Sequence, residues 1–188
     1  MRKIFLFFTL IFGAILLISC TKPSVKERPN RDIYYQVFVR SFADSNHDGI
    51  GDLNGITQNL DYIKTLGATA IWLTPIHPSK SYHGYDVDDY YDIHPDFGNL
   101  EDFKKLVTEA KNKDMKIMMD LVINHTSDTH PWYQDALKDI APYNDYYIKD
   151  FESFPGGMKD LDLSHEAVVN EIKQIVDFYL EIGVLGFR

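Results

Sequence analysis

Two groups of residues in this chain have the types and spacing to do chemistry. The first closes an apolar run. Met115-Lys-Ile-Met-Met-Asp120-Leu-Val-Ile-Asn124-His125 is apolar for most of its length and finishes in a carboxylate, a carboxamide and an imidazole. Such a run reads as one parallel strand covered on both faces. Polar groups at the C-terminal end of such a strand sit where parallel α/β folds place their sites. Asp120, Asn124 and His125 are therefore candidates, against the plainer reading of a strand followed by an Asn-His loop. The second group is rich in oxygen donors. Asp44-Ser-Asn46-His-Asp48-Gly49-Ile50-Gly-Asp52 matches a helix–loop–helix calcium loop at its first, third, fifth and ninth places, with Gly49 at the sixth and the Ile50 carbonyl at the seventh. Gly55 stands where that loop has its bidentate Glu. Hard oxygen donors favour Ca2+ and disfavour zinc; the alternative is an Asx/Gly-rich turn.

Alternating strands and helices must position these groups. Ile33–Val39 reads as a first strand, and Leu53, Ile56, Leu60 and Ile63 recur at helical spacing over about 53–66, with Gly67 able to cap the end. Ala70–Leu73 reads as a second strand, stopped by Pro75. After a long loop, Asn99 can cap a helix in which Phe103, Leu106, Val107 and Ala110 form a stripe. Ile117–Ile123 is the third strand. Residues 126–164 show no period and are too long for a simple connection. A helix over about Glu166–Ile182 follows, and Gly183–Arg188 begins a fourth strand. Repeated strand–helix units imply a parallel sheet. No Gly-rich phosphate fingerprint follows any strand, which disfavours a dinucleotide fold.

The N-terminus reads as a leader outside the fold. Arg2 and Lys3 precede an apolar stretch from Ile4 to Ile18. Leu17-Ile18-Ser19-Cys20 resembles a bacterial lipobox, which would make residues 1–19 a signal peptide and Cys20 a lipidated mature N-terminus. Residues 20–31 then read as a tether, and the expected location is exported and lipid-anchored at a membrane or outer surface. One cysteine excludes an intrachain disulfide framework. The net charge of −9 argues against nucleic acid as a partner. Twelve Tyr, 12 Phe and 2 Trp suit stacking on sugar rings without demonstrating it. The chain assigns no oligomeric state.

Six segments, in order, resemble the α-amylase family (glycoside hydrolase family 13). Ile33-Tyr-Tyr-Gln-Val-Phe-Val-Arg-Ser-Phe42 and Gly67-Ala-Thr-Ala-Ile-Trp-Leu-Thr-Pro75 are similar to its first two barrel strands. Tyr82-His-Gly-Tyr85-Asp86 resembles a loop lining its sugar subsite, and Asp120-Leu-Val-Ile-Asn124-His125 its third-strand motif. Lys159-Asp160-Leu-Asp162 resembles a motif near the end of its inserted domain B, with Lys159 in place of the usual Pro, and Gly186-Phe-Arg188 opens its fourth-strand motif.

The resemblance implies an α/β fold, the first half of a (β/α)8 TIM barrel over residues 32–188, with a short domain B excursion (126–164) after the third strand. A complete barrel typically needs about 250 residues. It implies retaining chemistry at α-1,4-glucosidic bonds of starch and maltooligosaccharides, which uses two carboxyl groups about 5 Å apart. In the family pattern the nucleophile lies two residues beyond Arg188 and the acid/base later still, so the expectation is that this chain alone is inactive. By resemblance Tyr85 would stack on a sugar ring, His125 would hydrogen-bond it, and Arg188 would orient the nucleophile. Asp120 would fix strand-end geometry, and His83 is a weaker member of the same loop. Asn124 and Asp160 would contribute to a second Ca2+ site. Oligo-1,6-glucosidase-like relatives carry an Asp where Tyr82 stands, which favours internal cleavage here. The alternatives are an oligo-α-glucosidase or glucanotransferase of the same family, and a non-catalytic surface protein that binds glucan. His94, His130 and His165 read as ordinary loop residues, and Asp86 and Asp88 as a solvated acidic loop.

Overall fold

A computed structural model describes residues 31–149 and 156–188. The expected leader (1–19), Cys20 and the tether up to residue 30 lie outside the described residues, as do residues 150–155 of the excursion. Asp32–Arg188 forms a compact unit of its own.

The elements follow the expected alternation. Strand β1 (Tyr34–Val37) leads through a 3-10 turn to helices α1 (Leu53–Gln58) and α2 (Leu60–Thr65), then β2 (Ala70–Leu73). Helix α3 (Leu100–Asn112) precedes β3 (Lys116–Met119). The excursion holds β4 (His125–Ser127), α4 (Pro131–Ala136) and β5 (Met158–Asp160). Helix α5 (Glu166–Ile182) then returns the chain to β6 (Gly186–Phe187). Strands β1, β2, β3 and β6 form a parallel sheet in that order. The second sheet is the antiparallel pair β4–β5.

The parallel register aligns Val37, Leu73, Met119 and Phe187. Because side chains alternate across a sheet, Val37, Leu73 and Met119 share one face, and all three are buried. They pack with Ile56, Leu60 and Ile63 of α1–α2, Phe103 and Leu106 of α3, and Ile175 and Tyr179 of α5. The row of Gln36, Trp72, Met118 and Gly186 points to the opposite face, where Trp72 and Met118 are only partly buried. A smaller cluster of Tyr146, Tyr147, Leu161 and Val168 forms the core of the excursion.

Capping explains several boundaries. The Asn99 side chain accepts the N–H groups of Glu101 and Asp102, while Asp102 accepts the Asn99 N–H, forming a reciprocal capping box on α3. Gly67 ends α2 with φ +85°, a conformation open to glycine.

Three expectations need correction. The single helix over 53–66 is two helices, because Asn59 leaves helical geometry and its side-chain amide donates to the Gly55 carbonyl. The first strand stops at Val37 and gives way to a 3-10 turn over Val39–Ser41. The apolar run 115–125 is not one strand. Strand β3 ends at Met119, and His125 begins β4, paired with Asp160.

Candidate functional site

The four parallel strands end in a common row. Phe38, Thr74, Asp120 and Arg188 each directly follow their strand. Thr74 N–H donates to the Val37 carbonyl at 3.0 Å, Asp120 N–H to Leu73 at 2.9 Å, and Arg188 N–H to Met119 at 3.0 Å. The ladder thus extends one residue past the strands and fixes these side chains at the C-terminal edge, on the face that Trp72 shares.

Asp120 is the hub of this edge. It is 1% exposed. The Trp72 indole N–H donates to Oδ1 at 2.8 Å and the Tyr85 hydroxyl to Oδ2 at 2.8 Å. The Arg188 guanidinium lies 3.5 Å from Oδ1 and 4.7 Å from the centre of the Trp72 ring. A buried carboxylate costs little only when it is paired in this way. The carboxylate therefore ties together an aromatic ring from the loop after β2, the β2 tryptophan and the cation after β6. Burial, then the Asp120 hydrogen bond, raises the Tyr85 hydroxyl above its ordinary pKa, so this proton stays in place.

The loop that carries Tyr85 is built from local polar contacts. The Asp86 carboxylate accepts the N–H groups of Lys80 and Ser81 and the Ser81 hydroxyl. Asp86 is buried and Asp88 accepts from the Thr129 hydroxyl, so neither is merely a solvated loop acid. His83 Nδ1 accepts the Tyr85 N–H at 3.1 Å and contacts the Ser81 hydroxyl. His83 thus shapes the turn, and Gly84 makes it possible at φ +79°, where a Cβ would press on Pro75.

His125 and Asn124 sit beside this loop. His125 Nε2 lies 3.1 Å from the Tyr85 carbonyl, which can only accept, so Nε2 carries the proton. Nδ1 faces the Asn124 amide at 3.3 Å. Both ring nitrogens have protein partners and the residue is 5% exposed, so a sugar hydroxyl would have to share one of them. Burial lowers the His125 pKa and keeps the ring neutral. The Asn124 amide also donates to the Asp160 carboxylate at 3.3 Å, which brings together the two residues expected at a second cation site.

The 44–52 loop is ordered by its own side chains. Asp44 accepts the N–H groups of Asn46, His47 and Gly49, Asn46 accepts that of Asp48, and Asp48 accepts that of Ile50. These backbone bonds, Gly49 foremost, lower the Asp44 pKa. Asp52 also has a structural role. Its carboxylate accepts the Ser45 N–H and hydroxyl and caps α1 through the Gly55 N–H at 2.6 Å. A carboxylate that caps a helix keeps lone pairs free for a further partner, so this role is compatible with the expected place of Asp52 among the cation ligands. Among the described residues no three His, Cys, Asp or Glu side chains gather closely enough to hold a metal ion. The cation donors expected from the sequence of this loop are Asp44, Asn46, Asp48, the Ile50 carbonyl and Asp52.

Sequence reasoning passed over Trp72, whose indole N–H anchors Asp120. A tryptophan one residue before the last position of a strand was the available signal. His130 is another correction. It is 3% exposed, and its Nδ1 caps α4 by accepting the Trp132 N–H.

Comparison with known proteins identifies the family and fold. A family model described as "Alpha amylase, catalytic domain" matches residues 36–153. Alpha-amylase 3 of Dictyoglomus thermophilum is 46% identical over 208 residues, covering 99% of this chain and 42% of that protein. Trehalose-6-phosphate hydrolase of Bacillus subtilis is 39% identical over 189 residues, covering 83% of this chain and 34% of that protein. The solved structure of an alpha-amylase from H. orenii superposes with a TM-score of 0.79 at 42% identity, over 86% of this chain and 40% of that one. The chain thus spans less than half the length of these relatives.

Proposed function

The chain belongs to the α-amylase catalytic-domain family, and from that premise we propose that it is part of an enzyme that cleaves internal α-1,4-glucosidic bonds of starch and maltooligosaccharides. The mechanism is retaining double displacement. The observation that carries the reading is the Asp120 hub. One buried carboxylate holds the Tyr85 ring and faces the Arg188 guanidinium at the strand ends. In the proposed reaction the Tyr85 ring stacks on the glucosyl unit, and its bond to Asp120 keeps it from turning away. Arg188 orients the nucleophile, which the family pattern puts two residues further on, and favours its ionised form.

Asp120 itself is not the nucleophile, because its oxygens are engaged by Trp72 and Tyr85. Residues 1–188 tested alone are therefore proposed to be inactive. Ca2+ is proposed to stiffen the 44–52 loop through Asp44, Asn46, Asp48, the Ile50 carbonyl and Asp52, which also caps α1. A Ca2+-dependent rise in Tm that persists in Asp48→Ala would remove that part of the reading. The protein is proposed to be exported and lipid-anchored through Cys20; equal detergent partition of wild type and Cys20→Ala would remove that part.

A second reading, an oligo-α-glucosidase or glucanotransferase, draws support from the similarity to trehalose-6-phosphate hydrolase. Substrates separate the two. The full-length protein should release dye from cross-linked amylose and act poorly on nitrophenyl α-glucoside. The reverse preference would favour the second reading.

A further inference from the structure

One buried hydroxyl holds the stretch where the chain leaves the parallel sheet. Residues 120–124 belong to no strand or helix, yet they set the direction in which β4 presents His125. The bonds from Leu161 N–H to the Asn124 carbonyl and from Asp128 N–H to the Gly157 carbonyl flank β4. Such bonds recur at every second residue of an antiparallel pair, so His125, opposite Asp160, turns its carbonyl away from β5. That carbonyl meets the Tyr90 hydroxyl at 3.2 Å, and the Val122 carbonyl meets the same hydroxyl at 2.7 Å. Val122 and His125 are both buried, where a carbonyl left unpaired is costly. One shared proton thus closes the turn from β3 into β4. Tyr90 is itself fixed from three directions. Its ring stacks on Trp132 of α4 with centres 5.5 Å apart and meets His77, just past β2, edge-on at 5.7 Å. Its carbonyl accepts the Tyr179 hydroxyl of α5 at 2.9 Å.

A ring clamped in a close-packed core cannot follow a shifting turn, so it imposes the position of its hydroxyl on that turn. The turn fixes the His125 backbone, and from there Nε2 reaches the Tyr85 carbonyl at 3.1 Å. The imidazole and the loop that carries the Tyr85 ring are thereby held in one arrangement. We propose that Tyr90 is a positioning residue, whose hydroxyl holds the 122–125 turn so that His125 meets the glucosyl unit seated on Tyr85. Tyr90 acts from beneath the site, through His125, and does not itself touch the sugar. This rests on the α-glucan reading above.

Isothermal titration of the full-length protein with a thio-linked maltotetraose, which resists cleavage, tests it. Tyr90→Phe keeps the ring in its stack and removes only the hydroxyl. It should weaken the tetraose about three- to tenfold, the range of one displaced hydrogen bond. Tyr179→Phe removes a hydroxyl from the same core without reaching the turn. It should lower the urea midpoint by a similar amount and leave tetraose affinity unchanged. His125→Asn, whose amide stops short of the Nε2 position, should weaken the tetraose, and adding Tyr90→Phe to it should weaken binding no further. Two residues that act through one contact are non-additive in this way. Unchanged affinity in Tyr90→Phe, equal weakening in Tyr179→Phe, or additive losses in the double variant would each leave the hydroxyl a core group only and overturn the proposal. So would a His125→Asn protein that binds like wild type, or a Tyr90→Phe protein that does not fold. Failure of wild type to bind the tetraose would overturn the α-glucan reading and the proposal with it.

Discussion

At the scale of single residues, Asp120 has the largest consequence for its size. It satisfies an indole N–H and a phenol O–H that would otherwise lie half-buried without an acceptor. Asp120→Ala leaves both donors orphaned, at about 1–3 kcal/mol each. The variant should lose about 2–4 kcal/mol of stability in urea unfolding, and Trp72 emission should shift. Asp120→Asn keeps one acceptor oxygen and should lose less. Equal stability of the alanine variant and wild type would show that the hub does not hold the strand ends. Asp120 was legible as a candidate carboxylate in an apolar run, but not as the residue that ends its strand, because the expected strand ran on to Ile123 and the observed one stops at Met119. Its partners were not, since Trp72 and Tyr85 lie 48 and 35 residues away and only tertiary pairing joins them.

At the scale of elements, two buried histidines tie loops and helices to the core. His77, just past β2, lies against Tyr90 and against Tyr179 of α5, and His130 caps α4 beside Tyr90 and Trp132. Burial pushes both down to about 4 from the ordinary 6.5. Between those values the unfolded chain binds protons that the folded chain refuses, so stability should fall as pH drops from 6.5 towards 4. Above 6.5 the two groups add no slope. Each contributes about 1.4 kcal/mol per pH unit inside the window. Urea unfolding at pH 7, 6 and 5 should show this, and His130→Asn, which keeps a capping oxygen, should flatten the slope by about one histidine's share. An unchanged slope in that variant would contradict the assignment.

Helix α3 shows how well local signals can be read. Its cap, its apolar stripe and its end all lie within one stretch of sequence. The 115–125 run shows the limit. Leu121 N–H pairs with the Arg188 carbonyl, and His125 pairs with Asp160, 35 residues further on. No periodicity within the run distinguishes residues that stay in the sheet from residues that leave it. The break at Asn59 was likewise hidden, because the apolar spacing continues through it.

At the scale of the whole molecule, the described sheet ends in β1 on one side and β6 on the other. In the relatives' barrel architecture such edges are paired, and unpaired edges invite association. Residues 32–188 produced alone should therefore associate more readily than the full-length protein, as light scattering would show. The site follows the same logic. Tyr85 comes from the loop after β2, and Asp120 and Arg188 from the ends of β3 and β6, so only a folded sheet assembles them. The central claim is that this edge serves retaining cleavage of α-glucosidic bonds. Proton NMR of the first products released from maltoheptaose by the full-length protein tests it most directly. The account predicts that the new reducing ends appear as the α-anomer before mutarotation, and that Tyr85→Ala slows their release. Products that appear first as the β-anomer, or no cleavage of maltoheptaose at all, would contradict it.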